Sequence, residues 1–199
     1  MNRNLLIKLT FAGIAICLVV ILVSFFIVPK PKPGGPELTH NPSAEFTLTK
    51  DDGSTFHLSD LRGEIVLLFF GYTSCPDACP STLSKLNRAF NLLTPEEKKQ
   101  VRTVFVSVDP ERDNLQLLRD YLDYFGVNAT GVTGTKEEVD KVVKAYQAYY
   151  LVIPGESSDW YTINHTTTVY LHDKQGKVRH LLLYDYSPEK VAETIREFL

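Results

Sequence analysis

Two cysteines four residues apart, Cys75 and Cys79, separate an apolar run, Ile65 to Phe70, from a stretch with apolar residues at helical spacing (Leu83, Leu86, Ala89, Phe90 and Leu93). A short continuous apolar run is the pattern of a strand covered on both faces. The segment therefore predicts a buried strand, a turn that carries thiols, and a helix. The chain has three cysteines, and the third, Cys17, lies in an N-terminal apolar stretch, so this pair acts with itself. A thiol pair at such a junction can form a disulfide, hold a soft metal, or alternate between the two. Residues four apart in a helical turn have Cα atoms about 6 Å apart, within bridging range. A helix N-terminus also favours thiolate over thiol. On spacing alone, a structural disulfide, a redox pair and a metal site stand level.

Compartment narrows the choice. Leu9 to Val28 is a run of twenty residues without a charge, long enough to cross a hydrocarbon core of about 30 Å. A cleavable leader would have a shorter apolar core and end in a small-x-small site. Ser24-Phe25-Phe26-Ile27-Val28-Pro29 offers none, so the run is read as an uncleaved transmembrane anchor. Ile16 is too bulky to make Cys17 a lipidation site, and Cys17 is read as a membrane-buried bystander. Arg3 and Lys8 precede the anchor, which leaves residues 1–8 cytoplasmic and sends the remainder across. With no Arg-rich transit segment, the expected location is a bacterial cytoplasmic membrane, single-pass, with the C-terminal part on the periplasmic side. Outside that membrane disulfides persist, so a working dithiol there has to be re-reduced or shielded by a metal.

Residues 29–44 begin Pro29-Lys30-Pro31-Lys32-Pro33-Gly34-Gly35-Pro36, an extended spacer. From 45 to 199 the chain reads as one domain, large enough to bury a core without disulfide staples. A formal net charge of −3 gives no basic footprint for nucleic acid.

Within that domain, Phe46–Thr49 and Thr55–Leu58 flank an Asp51-Asp52-Gly53 turn, an N-terminal β-hairpin. Val101 to Val108 is a second buried strand, followed by helices at Leu115–Phe125 and Glu137–Tyr149. Thr166–His172 and Lys177–Tyr184 form a closing hairpin, and Ser187-Pro188-Glu189 opens a terminal helix. This order predicts an α/β, thioredoxin-like fold with two parallel strands. Chemistry in such sheets collects at the carboxyl ends of the parallel strands, where Cys75 and Asp109 fall.

Of five histidines, His40 lies near the spacer and His57 in the first hairpin, while His172 and His180 face each other across the last hairpin and are expected to be solvated. His165 opens a strand, in Thr162-Ile163-Asn164-His165-Thr166. With the cysteines it would complete a set of two sulfurs and one nitrogen, which suits Cu(I) first and Zn(II) next. A blue-copper carrier is disfavoured because Met1 is the only methionine.

Gly71-Tyr72-Thr73-Ser74-Cys75-Pro76-Asp77-Ala78-Cys79-Pro80 resembles the signature of the SCO/SenC family of copper proteins for cytochrome oxidase assembly. Val106 to Asp113, Gly131-Val132-Thr133-Gly134-Thr135, Ala145 to Tyr150 and the segment around His165 follow in that family's order. The resemblance implies a thioredoxin-like domain that binds one copper through Cys75, Cys79 and His165. It further implies delivery of copper, or reduction of target cysteines, at the dinuclear site in subunit II of cytochrome c oxidase, with an unidentified copper donor and thiol reductant. The family commonly has an aspartate before the histidine, whereas this chain has Asn164, which removes a charge near the site. Asp109 and Asp113 are candidates for shaping the rim, with loop capping beside Arg112 as the plainer role. Two alternatives stay open: a copper-independent thiol–disulfide oxidoreductase, and a peroxidase in which Cys75 attacks and Cys79 resolves. The latter lacks a basic residue in the motif.

Overall fold

The structure, a computed structural model, describes residues 45–155 and 160–199 together with Cys17. Apart from Cys17, a free and exposed thiol, the anchor and spacer of residues 9–44 lie outside the described residues, as does His40. Among the described residues no helix is long and apolar enough to cross a membrane.

The expected first hairpin forms from β1 (Thr47–Lys50) and β2 (Thr55–His57). All seven residues of β3 (Ile65–Gly71) are buried, as its continuous apolar run requires. α1 (Ala78–Asn91) follows and buries Cys79, Thr82, Leu83, Leu86, Ala89 and Phe90. After a single turn, α2 (Pro95–Lys98), come β4 (Val101–Ser107) and α3 (Leu115–Phe125). α3 stops where the sequence predicts, because Gly126 takes the left-handed conformation, φ 60°, that favours glycine.

β5 (Ala129–Thr133) pairs parallel with β4, so the sheet has three parallel strands (β3, β4 and β5) instead of the two expected. Its five residues include Gly131, too short and mixed a run to stand out in the sequence. α4 (Lys136–Ala145) ends earlier than predicted because Gln147 adopts φ 52°. Tyr146 then turns inward against Phe46, Phe70 and Tyr170. The chain next forms a separate antiparallel ribbon, β6 (Tyr150–Pro154) with β7 (Tyr161–His165), that the sequence reading lacks. β8 (Val169–His172), β9 (Val178–Leu182) and α5 (Pro188–Arg196), capped by Ser187, complete the fold.

The main sheet runs β2-β1-β5-β4-β3-β8-β9, with β3 and β4 near its middle and α1 packed against both α3 and α5. The α/β, thioredoxin-like layering with an N-terminal hairpin is therefore as expected. Two details of the last hairpin differ. Leu171, not His172, lies opposite His180, and a register shift follows at His172. Both histidines are buried: His172 because β8 lies between β3 and β9 with its four residues all covered, and His180, on the edge strand β9, beside the ring of Tyr186.

Candidate metal centre

β3 delivers the chain to the carboxyl edge of the sheet at Gly71, and a tight loop carries Cys75 to the start of α1. Asp113 fastens that loop: its carboxylate accepts from the Thr73 amide at 3.0 Å, the Thr73 hydroxyl at 2.6 Å and the Ser107 hydroxyl at 2.7 Å. Burial raises the Asp113 carboxyl above its usual range, and the three donors oppose that rise. Asp113 is thus a buried brace for the loop and not a rim residue. Cys79, fully buried in the first turn of α1, points back at Gly71. A Cβ at residue 71 would lie 2.7 Å from the Cys79 sulfur and 2.7 Å from the Phe105 ring, so only glycine leaves room for this thiol. Glycine ending an apolar strand just before the cysteines was the available sequence sign of that close approach.

His165 reaches the same place from β7. It does not open a strand, as expected, but closes one, and Thr166 to Thr168 bridge to β8. Its Nε2 lies 3.4 Å from the Cys79 sulfur and 3.8 Å from the Cys75 sulfur. The three donor atoms fall within 4.8 Å of one another, and this Cys75–Cys79–His165 group is the one such cluster found among the described residues. The other ring nitrogen, Nδ1, lies 3.0 Å from the Thr166 carbonyl. A carbonyl only accepts, so Nδ1 carries a proton, and in the neutral imidazole the Nε2 lone pair faces the sulfurs. Tyr72 and Phe69 meet the imidazole edge to face, at 5.7 and 6.1 Å. The group that orients the imidazole is thus a main-chain carbonyl. Asn164 itself is exposed and lines the mouth of the site.

The two thiols are free and unlike. Cys75 is half-buried beside an open depression of about 270 Å³ lined by Pro76, Ala78, Asn164 and His165. Hydrogen bonds from the Cys79 thiol and from the Cys79 and Asp77 amides favour its thiolate, outweigh the opposing effect of burial and bring it down to about 3. The Cys79 amide donates to it at 3.4 Å. Burial pushes the Cys79 thiol far the other way, and the neighbouring Cys75 thiolate adds to that. One negative charge is therefore shared over the pair before any metal arrives.

A thioredoxin-like domain with two cysteines and one histidine converging at the end of its central strands defines a class of soft-metal or thiol-redox proteins. The SCO1/SenC family profile matches residues 35–199. An SCO2-like protein of Rickettsia felis is 31% identical over 153 residues, 76% of this chain and 74% of that protein. Human mitochondrial SCO1 homolog is 34% identical over 151 residues, 75% of this chain and 47% of that longer protein. Bradyrhizobium japonicum ScoI, solved with copper bound, superposes with a TM-score of 0.72 at 33% identity, covering 78% of this chain and 98% of that one. The chain belongs to the SCO1/SenC family.

Proposed function

We propose that the protein binds one copper ion through Cys75, Cys79 and His165 and passes it to the dinuclear copper site in subunit II of cytochrome c oxidase, or keeps that site's cysteines reduced. The observation that carries this reading is the convergence of two sulfurs and the His165 Nε2 within 4.8 Å. Two thiolates and one imidazole match Cu(I) in number and softness, whereas zinc would call for a fourth donor or a water. Cys79 gives up its proton as copper binds, so affinity falls on acidification. Cys75 borders the open depression, so an incoming partner ligand meets it first and Cys79 last. The proposed setting is periplasmic, with residues 9–28 as anchor and 29–44 as spacer.

The unequal thiols favour a second reading, a copper-independent thiol–disulfide oxidoreductase. The Cys75 thiolate would attack a partner disulfide and release one partner thiolate. Cys79 would then attack Cys75, forming the internal disulfide and freeing the second partner thiol. Two electrons pass to the partner, and an external dithiol has to restore the pair.

Copper stoichiometry and affinity on the reduced protein, beside His165→Ala, separate the two. One copper held by the wild type and lost from the variant supports the chaperone. Binding indifferent to His165, with reductase activity intact, moves the assignment to the oxidoreductase.

A further inference from the structure

The ribbon that carries His165 shares no backbone ladder with the main sheet that carries the cysteines. The distance between imidazole and thiols therefore depends on what ties β7 to the body of the domain. Gly155 donates to the Trp160 carbonyl, and Thr166 to the Tyr149 carbonyl. With the register of the ribbon, these bonds turn the backbone groups of Tyr161 and Ile163 away from β6. Among the described residues, two bonds reach that outer edge. The Ile163 amide donates to the Tyr72 hydroxyl at 3.1 Å, and Arg112 Nη1 donates to the Tyr161 carbonyl at 2.9 Å.

Arg112 does more than close one bond. Its guanidinium stacks 3.6 Å from the Tyr161 ring centroid, and its Nε donates to Asp109 Oδ2 at 2.5 Å. The Tyr161 hydroxyl donates to the other carboxylate oxygen, Oδ1, at 2.7 Å. Asp109, Arg112 and Tyr161 thus form a closed ring in which each partner holds the other two. Asp109 is only 3% exposed and lies two residues past the end of β4, next to Val108, whose amide donates to the Gly71 carbonyl at 2.9 Å. One end of the ring is thereby fixed to the strand pair that positions the cysteines, and the other to the strand that ends in His165. A planar guanidinium can stack on the ring and serve two acceptors at once, which an ammonium cannot.

We propose that Asp109, Arg112 and Tyr161 form a latch that positions His165 against Cys75 and Cys79, so that residues outside the donor set govern how tightly copper is held. The latch rests on the copper reading above. None of the three is itself a ligand, and each acts through His165.

The test measures Cu(I) affinity by chelator competition on the reduced full-length protein for wild type, Arg112→Gln, Arg112→Lys and Tyr161→Phe, each with and without His165→Ala. Removing a group that orients a metal ligand typically weakens binding about tenfold to a hundredfold, so Arg112→Gln should lose at least about tenfold. Arg112→Lys should recover only part of that loss, and Tyr161→Phe should lose less because the ring remains to stack. In the His165→Ala background the same changes should cost nothing further. An equal loss in both backgrounds, or none in either, overturns the latch. Hydrogen exchange at the Ile163 amide of the metal-free protein gives a reading independent of copper. Exchange should quicken in Arg112→Gln, and an unchanged rate rejects the latch whatever copper does. If wild type and His165→Ala bind copper alike, the copper reading fails on its own, and the exchange result still decides whether the strand is latched. Should Arg112→Gln not fold, Tyr161→Phe, which removes a single hydroxyl, carries both measurements.

Discussion

Cys79 hangs from a helix of fourteen residues packed on a seven-stranded sheet, whereas His165 ends a two-stranded ribbon whose outer strand is exposed along most of its length. On the cysteine side the neighbours are Gly71, Phe105 and the core, and no space remains. On the histidine side Leu151, Val152, Ile153 and Trp160 are exposed, and a few polar ties add to the burial of Ile163 and the imidazole. A site assembled from a packed half and a tethered half can keep its thiols fixed while its imidazole is adjusted, a division that suits the copper transfer proposed above. Packing dominates the first half, while the second leans on hydrogen bonds as well, so the two should fail differently.

The largest contrast expected is within the packed half itself. In the reduced, metal-free protein Cys75 is already thiolate at neutral pH and Cys79 is a buried thiol, so alkylation at pH 7 should label Cys75 while Cys79 stays unlabelled. The Cys75 rate should stay flat from about pH 5 to 8, where an ordinary thiol with a pKa of about 8.5 would accelerate with each unit. Mass spectrometry of timed quenches reads both, and comparable labelling of the two cysteines would erase the distinction.

Acid should act on the main sheet next. Burial lowers His172 to about 4, with Nδ1 against the Gly176 carbonyl and Nε2 against the Tyr146 hydroxyl. Its folded pKa lies below its unfolded value, so the unfolded chain binds the proton first. Stability is then full above about pH 6.5 and declines as pH falls toward 4, by about 3 kcal/mol from this residue. Urea melts at pH 7 and pH 4 should show His172→Gln losing less on acidification than the wild type, by roughly that amount.

Gly71→Ala attacks the packed half directly. Forcing a methyl into occupied space typically costs about 1–3 kcal/mol. The same methyl displaces the Cys79 sulfur, so copper affinity should drop along with the denaturation midpoint. A variant that keeps both would mean that the close approach is relieved at no cost.

The smallest effect belongs to the tethered half. Asn164→Asp places a charge at the exposed mouth of the site, while Nδ1 of His165 stays on the Thr166 carbonyl. Copper affinity should rise by less than about fivefold, the reach of an exposed charge. A larger gain, read by the same competition assay, would show that residue 164 does contact the imidazole.

Much of the packed half was legible in the sequence, because burial writes itself as pattern. The apolar run of β3, the helical stripe of α1 and the thiols between them needed no partner information. The ribbon was not, because the short apolar run Tyr150-Leu151-Val152-Ile153 continues directly from the helix expected to reach Tyr149, stops at Pro154, and forms a strand that is exposed and not buried. The histidines show the same limit from the other side. His172 and His180 look like solvent-facing residues beside a turn, yet both are buried, His172 by the strands on either side of β8 and His180 beside Tyr186, and only the assembled fold reveals that. For the candidate site, the three donors could be named from residue type and resemblance. Tyr72, Tyr161 and Arg112, which hold the strand of one donor, could not, since their partners lie 91, 52 and 49 residues away along the chain.

The bond between His165 Nδ1 and the Thr166 carbonyl has a consequence for anyone who redesigns this domain. The group that selects the tautomer belongs to the backbone, which every amino acid supplies, proline included. No library of substitutions at 166 can delete it, although a residue that bends the strand end can move it. The protonation pattern of this imidazole is therefore written in the path of the chain, and it is robust to randomisation at the very position that enforces it.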